Sequence, residues 1–135
     1  MKAHALLPSV IAGLLLVASC NCGPTNNGAN DVRRACDLRA AWKNPNAEKC
    51  GLCQAAAPRP PCGCESFKGF DGVCAEQGDA FRAEASCTEA VVSCAANCLK
   101  DCGCVEGCYA DAPACKRVAA ARDGCVAESC AAYCN

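Results

Sequence analysis

Cysteine is the side chain with chemistry to offer in this sequence: 18 of 135 residues are Cys. A thiol can pair with another thiol, hold a soft metal as thiolate, or attack as a nucleophile. Sixteen of them fill the C-terminal three quarters: Cys36, Cys50, Cys53, Cys62, Cys64, Cys74, Cys87, Cys94, Cys98, Cys102, Cys104, Cys108, Cys115, Cys125, Cys130 and Cys134. That even number admits eight disulfides, while Cys20 and Cys22 stand apart near the N-terminus. Spacing does not give the connectivity, because sixteen thiols admit about two million pairings. Geometry narrows it at a few places. The members of Cys62-Gly63-Cys64 and of Cys102-Gly103-Cys104 are expected to find partners elsewhere. Cysteines four apart on a helix, such as Cys94 and Cys98, point the same way and should bridge to a facing helix. Two such bridges between antiparallel helices would make a stapled hairpin.

Other chemistry has less material. His4 is the only histidine. Without an imidazole further along, no Ser-His-Asp or Cys-His machinery can be assembled, and the six serines sit in no nucleophile motif. The expectation is no catalytic residue, no metal ligand set and no cofactor. Two rival thiol chemistries are open. Cys50-Gly51-Leu52-Cys53 has CxxC spacing, which on a helix N-terminus can lower a thiol pKa, but the βαβ context of a thioredoxin-like fold is absent. The same pair with Cys62 and Cys64 has imperfect spacing for a zinc ribbon. Cys94, Cys98 and Cys102 give a CxxxC step twice in succession. That pattern is similar to bacterial copper-storage bundles, and the resemblance implies a Cu(I) thiolate store; with the zinc reading it makes an exported Cu(I) or zinc binding or storage protein the alternative function. Against it stand the absence of a histidine or methionine beyond the leader and an apolar surface small for an unlinked bundle.

The N-terminus says where the thiols reside. Met1-Lys2-Ala3-His4 is a short positively charged start, Val10 to Val17 an apolar core, and Ala18-Ser19 the small residues before a cut. This is the layout of a secretory signal peptide. The apolar run is much shorter than the ~20 residues that span a bilayer. Val17-Ala18-Ser19-Cys20 resembles the lipobox of exported bacterial lipoproteins. The resemblance implies cleavage before Cys20, acylation of that cysteine and stable anchoring by more than one chain. Asn21 at the next position is not the aspartate that retains such proteins in the inner membrane, which favours the outer membrane. The alternative is ordinary secretion, with Cys20 and Cys22 restoring an even count of free chain cysteines. Either way the thiols face an oxidising compartment, where they pair.

Composition explains why they must. Residues 20–135 hold 3 Leu, 7 Val, 3 Phe, 2 Tyr and 1 Trp, with no Ile and no Met. Leu, Val and Phe together make about 11% of that segment, well below the ~20% under which chains tend to disorder. Most of the apolar content is Ala and Cys. Burial alone cannot offset the ordering entropy, so crosslinks must supply the rest. Without Lys2, 12 basic side chains face 14 acidic ones, a net of −2 with no basic block. Nucleic acid is therefore not an expected partner. The membrane, through Cys20, is one expected partner, and a protein of unstated identity another.

The elements that would position the cysteines are short helices; strand signals are almost absent. After the leader, residues 20–34 form an anchored tether, flexible through 21–31, and residues 35–135 the Cys-rich domain. Asp31 predicts a helix over 32–43 with Ala35, Leu38 and Trp42 on one face. A second helix over 47–57 would carry Cys50, Cys53 and Ala57. Pro58-Arg59-Pro60-Pro61 reads as a PPII connector, and 62–78 as irregular chain pinned by Cys62, Cys64 and Cys74. Asp79 predicts a long helix over 80–99 with a stripe of Ala80, Ala83, Cys87, Val91, Cys94 and Cys98. Lys100 to Gly103 reads as a turn, 104–110 as a short helix, 112–122 as another started by Pro113, and Asp123-Gly124 as a break before a last helix at 125–134. Ser93-Cys94-Ala95-Ala96-Asn97-Cys98 recurs as Ser129-Cys130-Ala131-Ala132-Tyr133-Cys134. The echo predicts two equivalent helices, each showing a cysteine pair to a shared core. The fold class expected is mainly α, small and disulfide-rich: short helices and a stapled helical hairpin, with an irregular N-terminal half that could form a subdomain over 35–78 beside a helical one over 79–135.

Overall fold

Asp31 opens the first helix. Its carboxylate accepts the Arg33 amide at 2.9 Å and starts α1, Val32–Ala40. The computed structural model describes residues 31–135. The leader 1–19, the anchor residue Cys20, Cys22 and the tether through 30 lie outside the described residues. Residues 32–34, at the end of the tether in the domain division, are the first turn of α1, and Val32 is fully buried. Ala35 and Trp42 face the core as expected, whereas Leu38 is partly exposed and α1 ends at Ala40, short of the expected residue 43.

The chain then forms α2 (Glu48–Ala56), a single 3₁₀ turn at Glu65–Phe67, α3 (Ala75–Ala83), α4 (Glu89–Asn97), α5 (Cys102–Cys108) and α6 (Pro113–Cys134). Among the described residues there is no strand, and no helix is long and apolar enough to cross a membrane. The protein is mainly α, and of its eight disulfides all but Cys62–Cys64 tie separate segments together.

Two helices differ from expectation. The long helix over 80–99 is divided. α3 begins at Ala75, so Asp79 lies inside it and pairs with Arg82. The break follows from local hydrogen bonding. The Glu84 carboxylate accepts both the amide (3.0 Å) and the hydroxyl (2.8 Å) of Ser86, which turns the chain. Those bonds also hold the Glu84 carboxyl below its ordinary pKa, the amide contributing most. Thr88 then caps a new helix by accepting the Val91 amide. Side chains that satisfy free amides locally outcompete the apolar stripe.

Conversely, Asp123-Gly124 does not end a helix. α6 runs 22 residues through both. A helical glycine costs about 1 kcal/mol, but tertiary contact outweighs that here. α6 is the hub of the fold, packing against α1, α2 and α3. Its buried face is built from small residues, among them Ala119, Ala120, Gly124 and Ala127, which let neighbours approach. Asp123 is neutralised by Arg122 at 2.7 Å.

Two clusters are buried along α6. Toward its C-terminus Val126, Ala127, Cys130 and Cys134 meet Trp42, Cys50, Cys53, Ala56, Ala57, Phe70 and Cys74. Toward its N-terminus Cys115, Ala119 and Ala120 meet Val32, Tyr109 and Ala112. Cysteine thus takes core positions that Leu or Ile fill elsewhere. Four disulfides rise from α6: Cys115 to Cys87, Cys125 to Cys74, Cys130 to Cys53 and Cys134 to Cys50. A fifth, Cys36–Cys102, ties α1 to α5.

Candidate functional site

α1 packs on both α6 and α5, and with the α4–α5 hairpin and α6 it lines a groove of 610 Å³, within the size range of small-molecule sites. Its floor and walls mix apolar and basic groups: Val32 and Arg39 of α1, Trp42 beyond it, Val92 and Ala95 of α4, Val105 of α5 and Tyr109 at its C-cap, with Leu99 and Lys100 from the α4–α5 turn. Disulfides fix three walls. Cys36, which lines the groove, is bonded to Cys102, and Cys94–Cys108 with Cys98–Cys104 clamp α4 onto α5.

The charges in the groove are not equivalent. Arg122 is engaged internally: it pairs with Asp123 and lies 3.6 Å over the Phe81 ring. Arg39 sits 5.7 Å over Trp42 and donates to Gln54 Oε1 at 3.0 Å, bonds that leave its charge unneutralised. Lys100 adds a second cation. The Tyr109 phenol is buried, and burial first, then the Asp123 charge, push its pKa above the ordinary value.

Leu99 is the anomaly of the site. It follows the C-cap of α4 in the left-handed region, with φ 53°, and its side chain is 84% exposed. Glycine or asparagine usually takes this position, since a larger residue pays about 1–2 kcal/mol in backbone sterics. A large apolar side chain held out in such a conformation, on the rim of a groove, serves no purpose in the core.

The structure assigns a partner to every one of the sixteen C-terminal cysteines. The stapled hairpin is present twice. α4 and α5 are joined by Cys94–Cys108 and Cys98–Cys104, and α2 and α6 by Cys50–Cys134 and Cys53–Cys130. The sequence echo therefore marks equivalent devices, but on separate partners: Cys130 and Cys134 are buried, and Cys94 is exposed. Cys102 and Cys104 diverge as expected, because α5 turns them toward α1 and α4. Cys62 and Cys64 do not; they bond to each other. Gly63 between them has φ 69°, and Asp71 Oδ2 accepts the amides of Cys62 and Gly63 at 2.8 and 3.0 Å. The chain curls around that carboxylate and brings the flanking sulfurs together.

The CxxC readings find no support in this arrangement. Cys50 and Cys53 are both fully buried and bonded to α6, so they neither pair with each other nor meet Cys62 and Cys64. The double CxxxC step is also divided, with Cys102 committed to Cys36. What replaces it is a cluster across the hairpin: the sulfurs of Cys94, Cys98 and Cys108 all lie within 4.8 Å. Sequence reasoning missed the groove entirely. Its one legible trace is Leu99-Lys100, an apolar and a cationic residue at the point where the helical pattern stops. The chain matches no family model, no curated protein and no solved structure.

Proposed function

We propose that this chain is an exported lipoprotein of the bacterial cell envelope, anchored through acyl groups on Cys20, whose stapled domain acts by binding an amphipathic, anionic ligand in the groove between α1, the α4–α5 hairpin and α6. It works without catalytic chemistry. The observation that carries the binding reading is the groove itself. Disulfides preorganise its walls, which lowers the entropic cost of binding. Val92 and Leu99, with the edge of Trp42, suit a hydrocarbon portion, and Arg39 with Lys100 suit an acidic group.

The anchor rests on Val17-Ala18-Ser19-Cys20 and on the cysteine count. All sixteen C-terminal cysteines are used in pairs, so Cys20 is not needed inside the domain. Eight disulfides also fit an oxidising envelope compartment, with the outer membrane favoured by Asn21. A metal store made of the whole cysteine complement fits less well, since pairing consumes the thiolates it would need.

Trp42 is the only tryptophan and lines the groove, so its fluorescence reports occupancy. Titration with an alkyl carboxylate and with the alcohol of equal chain length should give saturable quenching that is stronger for the acid. Lys100→Glu should remove that preference. No response to either compound overturns the groove reading. Separately, mass analysis of the N-terminal peptide from membranes should find acylated Cys20, and Cys20→Ala should move the protein to the soluble fraction. A peptide without acyl groups overturns the anchor.

A further inference from the structure

Two disulfides of the α4–α5 hairpin lie side by side. Cys98 and Cys108 belong to different bonds, yet their sulfurs are 3.6 Å apart. Cys94, Cys98 and Cys108 form the only set of three or more Cys, His, Asp or Glu donors among the described residues whose ligand atoms all fall within 4.8 Å. Cys104 is bonded to Cys98 and supplies the next sulfur, which lies outside the 4.8 Å cluster and has to move inward to join it. A tetrahedral zinc–thiolate centre has Zn–S distances of about 2.3 Å, which sets neighbouring sulfurs about 3.8 Å apart. The Cys98–Cys108 separation already matches that edge. The four cysteines are two i, i+4 pairs on facing helices, a four-sulfur donor set that selects zinc-like ions.

We propose that the hairpin is a redox-gated metal site: oxidised, it holds two disulfides; reduced, Cys94, Cys98, Cys104 and Cys108 bind one Zn²⁺-class ion. The reductant is a dithiol. Each hairpin disulfide takes two electrons and two protons from one dithiol, which leaves as its own disulfide. Zn²⁺ then displaces the four thiol protons and forms four Zn–S bonds.

Three features distinguish this hairpin from the α2–α6 staple. Cys94 and Cys104 are exposed, so a reductant can reach both bonds, whereas the four cysteines of the α2–α6 staple are fully buried. Its two bonds close only 14 and 6 residues, against 84 and 77 in that staple; short loops gain least from crosslinking. And the remaining six disulfides, Cys36–Cys102 among them, keep α5 and the hub helix in place while the hairpin opens. This inference does not depend on the anchor or on the groove ligand.

The test uses the unmutated mature chain, reduced stepwise with a phosphine in the presence or absence of one equivalent of Zn²⁺, alkylated and mapped by peptide mass. Without metal, Cys94, Cys98, Cys104 and Cys108 should be labelled before the sulfurs of the α2–α6 staple, alongside those of the exposed Cys62–Cys64 link, which Zn²⁺ should leave unprotected. With Zn²⁺ their alkylation should slow at least about tenfold, and native mass should show one bound zinc. Equal labelling with and without Zn²⁺ overturns the proposal, as does simultaneous opening of all eight bonds. Cys104→Ser should weaken zinc binding by at least about tenfold with helix content unchanged; binding equal to that of the unmutated chain overturns the four-sulfur assignment. If Cys104→Ser does not fold, the labelling pattern of the unmutated chain decides alone.

Discussion

Removing the Cys53–Cys130 bridge by paired Cys→Ala substitution tests how the crosslinks share the load. Taken alone, a bridge closing 77 residues would be worth about 4.5 kcal/mol of unfolded-chain entropy. It does not act alone, because Cys50–Cys134 links the same two helices one turn away. With that bond intact, the loop closed by Cys53–Cys130 is the short circuit through 50–53 and 130–134, roughly eight residues, worth about 2.5 kcal/mol. Both sulfurs are fully buried, so their loss also leaves a small cavity costing about 1 kcal/mol. The expected loss is about 3–4 kcal/mol, a fall in Tm of about 15–25 °C for a domain of this size. Removing both bridges makes Cys74–Cys125 the next link from this region to α6, and the total rises to about 6 kcal/mol. That equals the whole stability of many small domains. The assay is non-reducing denaturation followed by circular dichroism, with the other disulfides verified by mass. A single-bridge loss under about 1 kcal/mol would mean that apolar contacts hold α2 on α6 unaided, and the reasoning fails.

Three further outcomes follow from particular contacts. Gly78→Ala should destabilise by about 1–3 kcal/mol, measured by urea unfolding, because a Cβ there would lie 1.8 Å from the Pro58 carbonyl oxygen; an unchanged midpoint contradicts the close approach of α3 to the 58–61 connector. Leu99→Gly should stabilise by about 0.5–1 kcal/mol by relieving the left-handed backbone while weakening groove binding of the alkyl carboxylate; lost stability would show that Leu99 packs in the fold. For Tyr109, burial raises the folded pKa above the unfolded value of about 10. Its contribution is therefore fully present below pH 10 and is lost as pH rises through the folded pKa. Unfolding free energy between pH 8 and 11, in scans short enough to spare the disulfides, should fall more steeply for the unmutated chain than for Tyr109→Phe. Parallel curves refute it.

The fold class was legible because composition leaves few options. A chain this poor in Leu and Ile, with sixteen paired thiols available, can be ordered mainly by crosslinks. The caps were legible where a single side chain decides, as at Asp31 of α1. They were misread where two local signals compete. The Glu84–Ser86 turn and the Thr88 cap interrupt a stripe that continues in periodicity alone. Gly124 reads as a breaker locally, yet it lies in the buried face of a helix packed on three others. Disulfide partners were legible only in kind: the i, i+4 rule gave the hairpin staples, while the Cys62–Cys64 link depends on Asp71, nine residues from Cys62. The groove left little trace because its walls come from five helices spread over nearly the whole domain.

The central claim is that sulfur bridges stand in for an apolar core. The most direct measurement reduces and alkylates all eight disulfides of residues 20–135 in native buffer and records far-UV circular dichroism together with NMR amide dispersion. The account predicts collapse of the dispersion and loss of most helical signal without added denaturant. Retention of a dispersed spectrum and a cooperative thermal transition by the alkylated chain would contradict it.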